Sequence, residues 1–534
     1  MFGAKADKCT FKLREDNLGD ISVFAESLVK NKRLDEKTEN ETILIIEALA
    51  QRLVDWGLAE DADLVISGID RLGEFRIKVA FEGEMFARPK GSIDSIEDHL
   101  LNAHDDKLEY SYHLGRNEIT ISVDRGHRSS LLACTVAALC AIAVYALLSL
   151  LIDEQQQQDL LANYVFPLET MYANAMLMIG APMTFFGLLK NLTDTYIVSQ
   201  RSSGIRELQT KMFITSAFAI VLAFVAFFVL SVPIAAVESS LYGDSVLVGT
   251  AVSRTFSDVV TSLITPSIFE PFAAVSPVPL MVVALLCTYA LCSAGEYFAT
   301  LHHAMLACYR LFSRMLHLVI ALLPVFCFLA LMDILLEMGF IALAETVALL
   351  VVISLGVMVL LATYAVRLRV RGIKVIPFVR KLAPLLRENL KIDSAINAAP
   401  YNTRFCTKVF KMDREMLEHY LPVLAEINLD GNCFLLAFLT LSFALVMDAS
   451  LSWISMIGMA VLVLFLSLGA PNQPGGLLIG MLIIATYLGF SEELCIAIIA
   501  ESFFGGLQNL VNVIGDIVMV AIEDSKQKAL VKSE

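Results

Sequence analysis

From residue 130 onward, the chain consists largely of apolar runs that are each long enough to cross a lipid bilayer. A run of about 20 apolar residues in a helix spans the hydrocarbon core. Within that core every backbone amide must find a partner inside the protein, so helices are the regular structure for such runs. The chain is 57% hydrophobic and 18% charged, with a mean hydropathy of +0.68. These features predict a polytopic membrane protein.

The positions of the runs predict an all-α polytopic membrane domain over residues 128–534, preceded by a soluble α+β domain over residues 1–127. Two runs, near 377–412 and 452–488, are interrupted by glycine, proline and polar residues, and we predict two re-entrant hairpins there. The remaining runs predict eight transmembrane helices, near 130–152, 166–190, 211–238, 275–300, 313–338, 342–368, 415–447 and 493–522.

Basic residues orient these helices. The connection "DEQQQQD" (153–159) and the segment near Glu337 have no Lys or Arg, whereas the connections on the other side carry many. These are Lys190, Arg201, Arg206 and Lys211 after the second helix, and Arg367, Arg369, Arg371, Lys374, Arg380, Lys381, Arg387 and Lys391 further on. The positive-inside rule therefore predicts a multi-pass protein of the cell membrane with cytoplasmic N- and C-termini. The net charge of −15 argues against nucleic acid as a partner.

Two stretches that break the apolar pattern draw attention to function. "SLGAPNQPGGLLIG" (467–480) and, less severely, "SAINAAPYNT" (394–403) place helix-breaking residues inside apolar regions. Open backbone at membrane depth must be buried in protein or line a cavity. Paired interruptions of this kind are typical of the solute site of secondary transporters built from inverted repeats. The alternative is two ordinary kinked helices.

Oxygen-bearing side chains also interrupt the apolar helices. Asn428, Asp430 and Asn432 lie in a predicted spanning helix, with Gly431 expected to permit unwinding. Further along, Asn512 and Asp516 share one face of the last apolar helix, with no Lys or Arg nearby in sequence. An unwound helix with carboxylates and amides offers the ligands that sodium prefers. The alternative is a hydrogen-bonded polar seam between helices. We expect Asp430 and Asp516 to be two buried acids without basic partners, which favours the ion site over the seam.

Several of these motifs resemble one family. "NLDG" before a broken hairpin, then "GAPNQPGG" and "VNVIGD", resemble the dicarboxylate/amino acid:cation symporter family, which includes the glutamate transporters. The segments at 168–189, 214–220 and 377–400 resemble its second helix, its third helix and the approach to its first hairpin. The resemblance covers roughly 130–525. It implies a homotrimer in the lipid membrane that works as an elevator, with scaffold helices at 130–190 and 275–338 and a transport domain at 211–238 and 342–522.

The family's sodium positions are filled by suitable residues. Asn428, Asn512 and Asp516 match one site. A second site is matched by Thr215, Ser216, Asn428 and Asp430. A third, at the tip of the second hairpin, uses mainly backbone atoms, here at Ser467, Leu468 and Ala470. Met212 and Leu429 stand where the family has tyrosine and methionine. The resemblance thus implies Na⁺ as the coupling ion.

The family's solute positions are changed. Gln508 stands in place of the arginine that pairs with a side-chain carboxylate, Gly505 in place of the aspartate that receives an ammonium group, and Asn509 in place of a threonine. Glutamine cannot form the charged fork of arginine. We therefore expect a small polar solute with at most one carboxylate, such as a neutral amino acid or a hydroxy acid. The candidate solute-binding residues are Ser394, Asn397, Asn432, Gly475, Gln508, Asn509 and Asn512. Asp393 is either a substitute ammonium partner or a solvated charge.

The first 127 residues predict one amphipathic helix at 41–57 and two strands, "ADLVISGI" and "EFRIKVAF", with a helix and a hairpin after them. Their order resembles the anti-sigma-factor kinase branch of the histidine-kinase-type ATPase fold. Glu47 fits its motif, but Gln51 replaces the metal-binding asparagine and Phe81 precedes Glu82-Gly83 where an aspartate should contact adenine. This departure predicts a degenerate, non-catalytic regulatory domain.

Two functional classes remain open. One is a sodium-coupled secondary transporter. The alternative is a solute sensor that keeps the transporter fold and signals through its cytoplasmic domain. An enzyme is not expected, because no nucleophile–base pair stands out. The ten cysteines lie mostly singly in apolar runs and are expected to be small hydrophobic residues.

Overall fold

The computed structural model describes residues 8–14, 17–30, 36–55, 63–71, 74–82, 101, 108–113, 116–123, 130–201, 203–241, 256–389, 395–446, 452–469, 474–489 and 494–533. The chain divides into two compact units. The first contains residues 1–128 with 400–404, and the second contains 129–399 and 405–534. The division into domains at residues 127/128 stays a prediction.

The first unit contains a small antiparallel sheet. Its described strands are β1 (Lys8–Lys12), β2 (Asp63–Arg71), β3 (Glu74–Glu82), β4 (Leu108–His113) and β5 (Arg116–Val123), in the order β1-β2-β3-β5-β4. Its described helices are α1 (Leu18–Lys30) and α2 (Glu36–Asp55). Alternate side chains of the strands and one face of each helix form an apolar core that includes Ile21, Leu49 and Ile66. The predicted strands and hairpin are therefore present, which fits a soluble domain. The kinase-like assignment stays a prediction.

The second unit is helical. The helices before the first hairpin region are α3 (Ser130–Leu151), α4 (Glu154–Leu160), α5 (Phe166–Arg201), α6 (Ser203–Leu241), α7 (Phe256–Ser262), α8 (Glu270–Ala273), α9 (Pro277–Cys292), α10 (Phe298–Ile320), α11 (Leu323–Met338) and α12 (Phe340–Val370). Then follow α13 (Val375–Asn389), α14 (Ala395–Phe405), α15 (Arg414–Ile427), α16 (Asp430–Val446), α17 (Trp453–Gly469), α18 (Gly476–Leu488) and α19 (Leu494–Ser533). Within α14, residues 400–404 are grouped with the first unit.

Apolar side chains lie on the outside of this unit as well as inside it. On α3, Leu132, Leu139 and Leu150 are between 61% and 83% exposed. A large exposed apolar surface on a helical unit is expected where lipid or another subunit covers it. In the described part of the chain, six helices are long and apolar enough to cross a membrane, or seven if the bent pair α9–α10 counts as one span. The chain is therefore a multi-pass membrane protein. The predicted total of eight spans plus two hairpins stays a prediction.

The region 275–338 differs from the prediction of two helices. It forms three, because α9 ends at Cys292 and α10 leaves it at an angle of 109°. The bend lies at Gly295, whose φ of 58° favours glycine. Helix α10 carries Arg310 and Arg314 among its apolar residues. Charges at helical spacing lower the average hydropathy, so the sequence pattern concealed this amphipathic helix.

The two predicted hairpins are only partly as expected. Helix α17 ends at Gly469 and α18 begins at Gly476, so the predicted break in "SLGAPNQPGGLLIG" is present. The stretch "SAINAAPYNT" is mostly helical, because Ala395–Phe405 form α14, and the preceding helix α13 ends at Asn389. Residues 390–394 and 470–473, including Ser394 and Ala470, lie outside the described residues, as does the side chain of Asn397.

Candidate functional site

A helix break lies at the centre of the site. Helix α15 ends at Ile427 and α16 begins at Asp430, with Asn428 in a non-helical conformation (φ −84°, ψ 81°) between them. The predicted interruption of this span is therefore confirmed. At such a break, the carbonyl end of one half-helix and the amide end of the next both face neighbouring side chains. Asn428 is fully buried, so protein groups must satisfy this backbone.

Helix α19 provides those groups. The Asn512 side-chain oxygen accepts hydrogen bonds from the backbone N–H groups of Gly431 and Asn432, at 2.9 and 3.3 Å. One turn later, Asp516 accepts a hydrogen bond of 2.8 Å from the Asn428 side chain. The two residues that share a face of α19 thus both bind the broken helix, as their spacing predicted.

Gly431 has a different role from the predicted one. It lies inside α16 and does not unwind it. A Cβ atom at Gly431 would lie 2.8 Å from the Asn512 side-chain oxygen and 2.9 Å from Val511. The residue is therefore small because α16 and α19 pack closely at this point. The unwound residues are Asn428 and Leu429.

Two further helices complete the cluster. From α6, Thr215 donates to the Asn428 side-chain oxygen at 3.4 Å and Ser216 donates to Asp430 at 3.3 Å. From α12, the Tyr364 hydroxyl donates to the other Asp430 oxygen at 3.4 Å, and the Arg367 guanidinium lies 3.9 Å from it. The expectation that both acids lack a basic partner is therefore wrong for Asp430. Sequence distance concealed Arg367, which was assigned to a cytoplasmic connection.

The charges in this cluster do not balance. Asp430 and Asp516 are 2% and 3% exposed. Among the described residues, Arg367 is the basic residue in contact with these two acids. It contacts Asp430 and not Asp516. A buried carboxylate without a counter-charge costs several kcal/mol. The atoms available as ligands in the cluster are carboxylate, amide and hydroxyl oxygens, which suit a hard cation such as Na⁺. We conclude that these residues fit a bound monovalent cation.

Next to the cluster lie buried amides. Asn432 and Asn512 are 1% and 0% exposed, and the Asn432 side-chain oxygen and the Asn512 side-chain nitrogen have no hydrogen-bond partner among the described residues. Unpaired buried groups of this kind indicate a ligand. Gln508 and Asn509, also buried, lie one turn before Asn512 on α19. The predicted solute residues on α16 and α19 are therefore brought to one region.

Ser467 and Leu468, at the end of α17, have different polar neighbours. A cavity of about 10 Å³, enough for one water or ion, has Ser216, Cys433 and Ser467 as its polar lining. Leu468 lines the same cavity, but its carbonyl accepts a hydrogen bond of 2.5 Å from Asn191 on α5. Of the predicted hairpin sodium ligands, Ser467 thus faces the cation cluster, and Leu468 is bonded to another helix.

Glu501 is a site residue that the sequence interpretation missed. It is 4% exposed on α19, and its two carboxylate oxygens accept hydrogen bonds from the N–H groups of Gly475 and Leu478, at 2.7 and 2.9 Å. Gly475, a predicted solute residue, therefore donates to Glu501. The carboxylate also occupies the space beside Gly505, where a Cβ atom would overlap it. The sequence feature that indicates this site is an acidic residue, Glu501, one turn before Gly505 in an apolar helix.

A broken helix and buried acids within apolar helices long enough to cross a membrane are typical of the class of ion-coupled membrane transporters. The chain belongs to the Sodium:dicarboxylate symporter family, whose sequence profile matches residues 130–525.

Similarity to individual relatives is lower and covers less of the chain. Excitatory amino acid transporter 3 of Bos taurus is 27% identical over 152 residues, which are 28% of this chain and 29% of the relative. Excitatory amino acid transporter 4 of Mus musculus is 26% identical over 156 residues, 29% of this chain and 28% of the relative. The matched segment therefore spans less than a third of each of these relatives.

Proposed function

We propose that the chain is a symporter that uses a sodium gradient to move a small polar solute across the membrane. The observation that carries this proposal is the helix-break cluster, where two buried carboxylates face one guanidinium. A sodium ion would restore the charge balance. Because the unpaired amides of Asn432 and Asn512 belong to the same region, bound solute and bound ion would stabilise each other's site.

The proposed solute carries at most one carboxylate. Asn432, Gln508, Asn509 and Asn512 offer neutral donors and acceptors, and buried amides disfavour a cargo that brings a second unpaired charge. A neutral amino acid or a hydroxy acid fits this chemistry. The names of the relatives, which are amino acid transporters, favour the first of these.

The proposed mechanism is an elevator within a homotrimer. Helices α3, α5 and α9–α11 form the scaffold, and α6 with α12–α19 forms the moving domain. The exposed apolar side chains of α3 and α12, such as Leu139 and Val351, support a surface covered by lipid or by other subunits. The exposed Arg369 and Arg371, at the end of α12, support cytoplasmic N- and C-termini.

The function is tested with purified protein reconstituted in lipid vesicles. We expect radiolabelled solute to accumulate when sodium is high outside and low inside, and to stay at equilibrium in a potassium gradient. The solute is first chosen from a panel of amino acids and hydroxy acids by thermal stabilisation in sodium. Sodium-dependent binding without accumulation would contradict transport and favour the sensor alternative.

Gln508→Arg should change the solute preference. A guanidinium at this buried position can pair with a second carboxylate in two parallel hydrogen bonds. We expect binding of a dicarboxylic amino acid to strengthen by about tenfold or more, since a charge-assisted pair contributes about 1.5–3 kcal/mol. Isothermal titration in sodium measures this change. Gln508→Lys, which adds the charge without the fork, is the control and should gain less. Tight sodium-dependent binding of aspartate by the unchanged chain would falsify the assignment.

Residues 1–127 are proposed to regulate the membrane domain without building it. The sheet and helices of this unit form their own apolar core, which permits independent folding. A chain that begins at His127 should therefore still insert and form the same oligomer in detergent, with altered regulation. Size-exclusion chromatography with light scattering measures this. An aggregated shortened protein beside a trimeric full chain would contradict the proposal.

A further inference from the structure

The C-terminal ends of α15 and α17 lie against α5. Together they form a negatively charged region, which we call the junction. Helix α15 ends at Ile427 and α17 ends at Gly469. The last carbonyl groups of a helix have no partner within it and carry about half a negative charge in total. Glu426, in the last turn of α15, adds a full negative charge to one of these ends. A cation is therefore favoured at this place.

The backbone of α5 lies close to the C-terminal end of α17. At Gly187 a Cβ atom would overlap the carbonyl oxygen of Gly469, so only glycine allows α17 to end against α5. A Cβ atom at Gly469 would in turn lie 2.8 Å from the carbonyl oxygen of Thr184. One turn beyond Gly187, Asn191 donates a hydrogen bond to the carbonyl of Leu468. This contact satisfies one of the free carbonyls of α17.

Lys190 supplies the cation. Its ammonium group lies 2.9 Å from Glu426 and 3.2 Å from Asp194, and 5.9 Å from the centre of the Tyr309 ring. The side chain is 16% exposed, and α5 continues beyond Lys190 to Arg201. Its assignment to a connection between helices, made from its charge, is therefore wrong. A buried lysine needs compensating charges, and these contacts provide them.

We propose that Lys190 is a resident cation that fills a monovalent cation site at the C-terminal ends of α15 and α17. On this proposal, which rests on the proposed sodium-coupled function, sodium binds at the helix-break cluster and Lys190 replaces a second ion at the hairpin end. The Leu468 carbonyl, which could have served as an ion ligand, is bonded to Asn191. The chain thus has two sites for a monovalent cation, and sodium binds at one of them while Lys190 fills the other.

Lys190 also links two groups of helices that the proposed elevator separates. It belongs to a scaffold helix, whereas Glu426 belongs to the moving domain. When α15 and α17 move away from α5, the junction loses its cation. The tethered ammonium group therefore stabilises the conformation in which α15 lies against α5.

The test removes the tethered cation in a background that lacks the first sodium site. Asp516→Ala in the full chain should have a melting temperature that no longer responds to sodium. Lys190→Met/Asp516→Ala should regain a saturable rise in melting temperature with sodium, and not with choline at equal ionic strength. Lys190→Arg/Asp516→Ala keeps the charge and is the matched control, so it should remain unresponsive.

The outcomes separate this proposal from the proposed function. A folded Lys190→Met/Asp516→Ala protein that ignores sodium would overturn the resident cation, while the unchanged chain still responds to sodium. Failure of the unchanged chain to respond would instead overturn sodium coupling. If Lys190→Met does not fold, Lys190→Met/Glu426→Gln removes the ammonium group together with the nearer of its two carboxylate partners and should fold. Failure of that variant as well would show that Lys190 does not act by charge compensation.

Discussion

Asp516→Ala should abolish the sodium-specific rise in melting temperature of this protein. Asp516 is buried, and in its cluster two carboxylates face one guanidinium group, which favours the binding of a cation. A ligand that binds only the folded state stabilises it by about 2.7 kcal/mol at one hundred times its dissociation constant. The unchanged chain should therefore melt at a higher temperature in sodium than in potassium or choline at equal ionic strength. Asp430→Ala should remove the same shift.

The control for this prediction is an acid outside the cluster. Asp159 is exposed at the end of α4, so Asp159→Ala should keep the full sodium response. The measurement is a thermal denaturation series in detergent at several salt concentrations. Equal stabilisation by all three salts would remove the case for a sodium site, as would an Asp516→Ala protein that still responds.

Gly505→Ala should destabilise the protein by about 2–4 kcal/mol. The added Cβ would overlap the Glu501 carboxylate, which must then leave the N–H groups of Gly475 and Leu478. Each buried group left unpaired costs about 1–3 kcal/mol. The start of α18 would also lose the negative charge at its N-terminus. Thermal or chemical denaturation should show this loss, and Glu501→Ala should reproduce it.

The neighbouring glycine is a matched control. A Cβ atom at Gly506 would meet no atom within 4 Å, and the residue is exposed on the same helix. Gly506→Ala should therefore be neutral or slightly stabilising, by up to about 1 kcal/mol, because alanine favours a helix over glycine. If the two substitutions had equal effects, Glu501 would not anchor the hairpin through the space at Gly505.

The sequence predicts best those features that depend on local pattern. The break at Asn428 and the residues Asn512 and Asp516 could be predicted, because polar side chains are conspicuous in an apolar helix. Their partners could not all be predicted. Arg367 reaches Asp430 from another helix, and its charge alone suggested a surface position. Which side chains meet across helices depends on packing that one sequence does not display.

Two further charged segments, at Lys190 and in α10, have a different structure from the one their charge predicts. Lys190 was assigned to a connection because lysine is usually exposed. Three nearby acidic or aromatic partners, contributed by three helices, allow it to lie inside α5. The amphipathic helix α10 is divided in the sequence prediction between the spans at 275–300 and 313–338 and the connection between them, which carries Arg310. For Lys190, the compensating contacts with Glu426 and Tyr309 come from other helices, so the local sequence does not show them.

The unequal charges at the helix break have a consequence for energy conversion. If the cluster moves through the membrane, it moves as a neutral group when sodium is bound and as a net anion when it is empty. A cell interior at −100 mV changes the energy of one crossing charge by about 2.3 kcal/mol. The membrane potential would then act mainly on the return of the empty protein, and would drive that negative group outward. The voltage would thus reset the carrier, while the sodium gradient loads it.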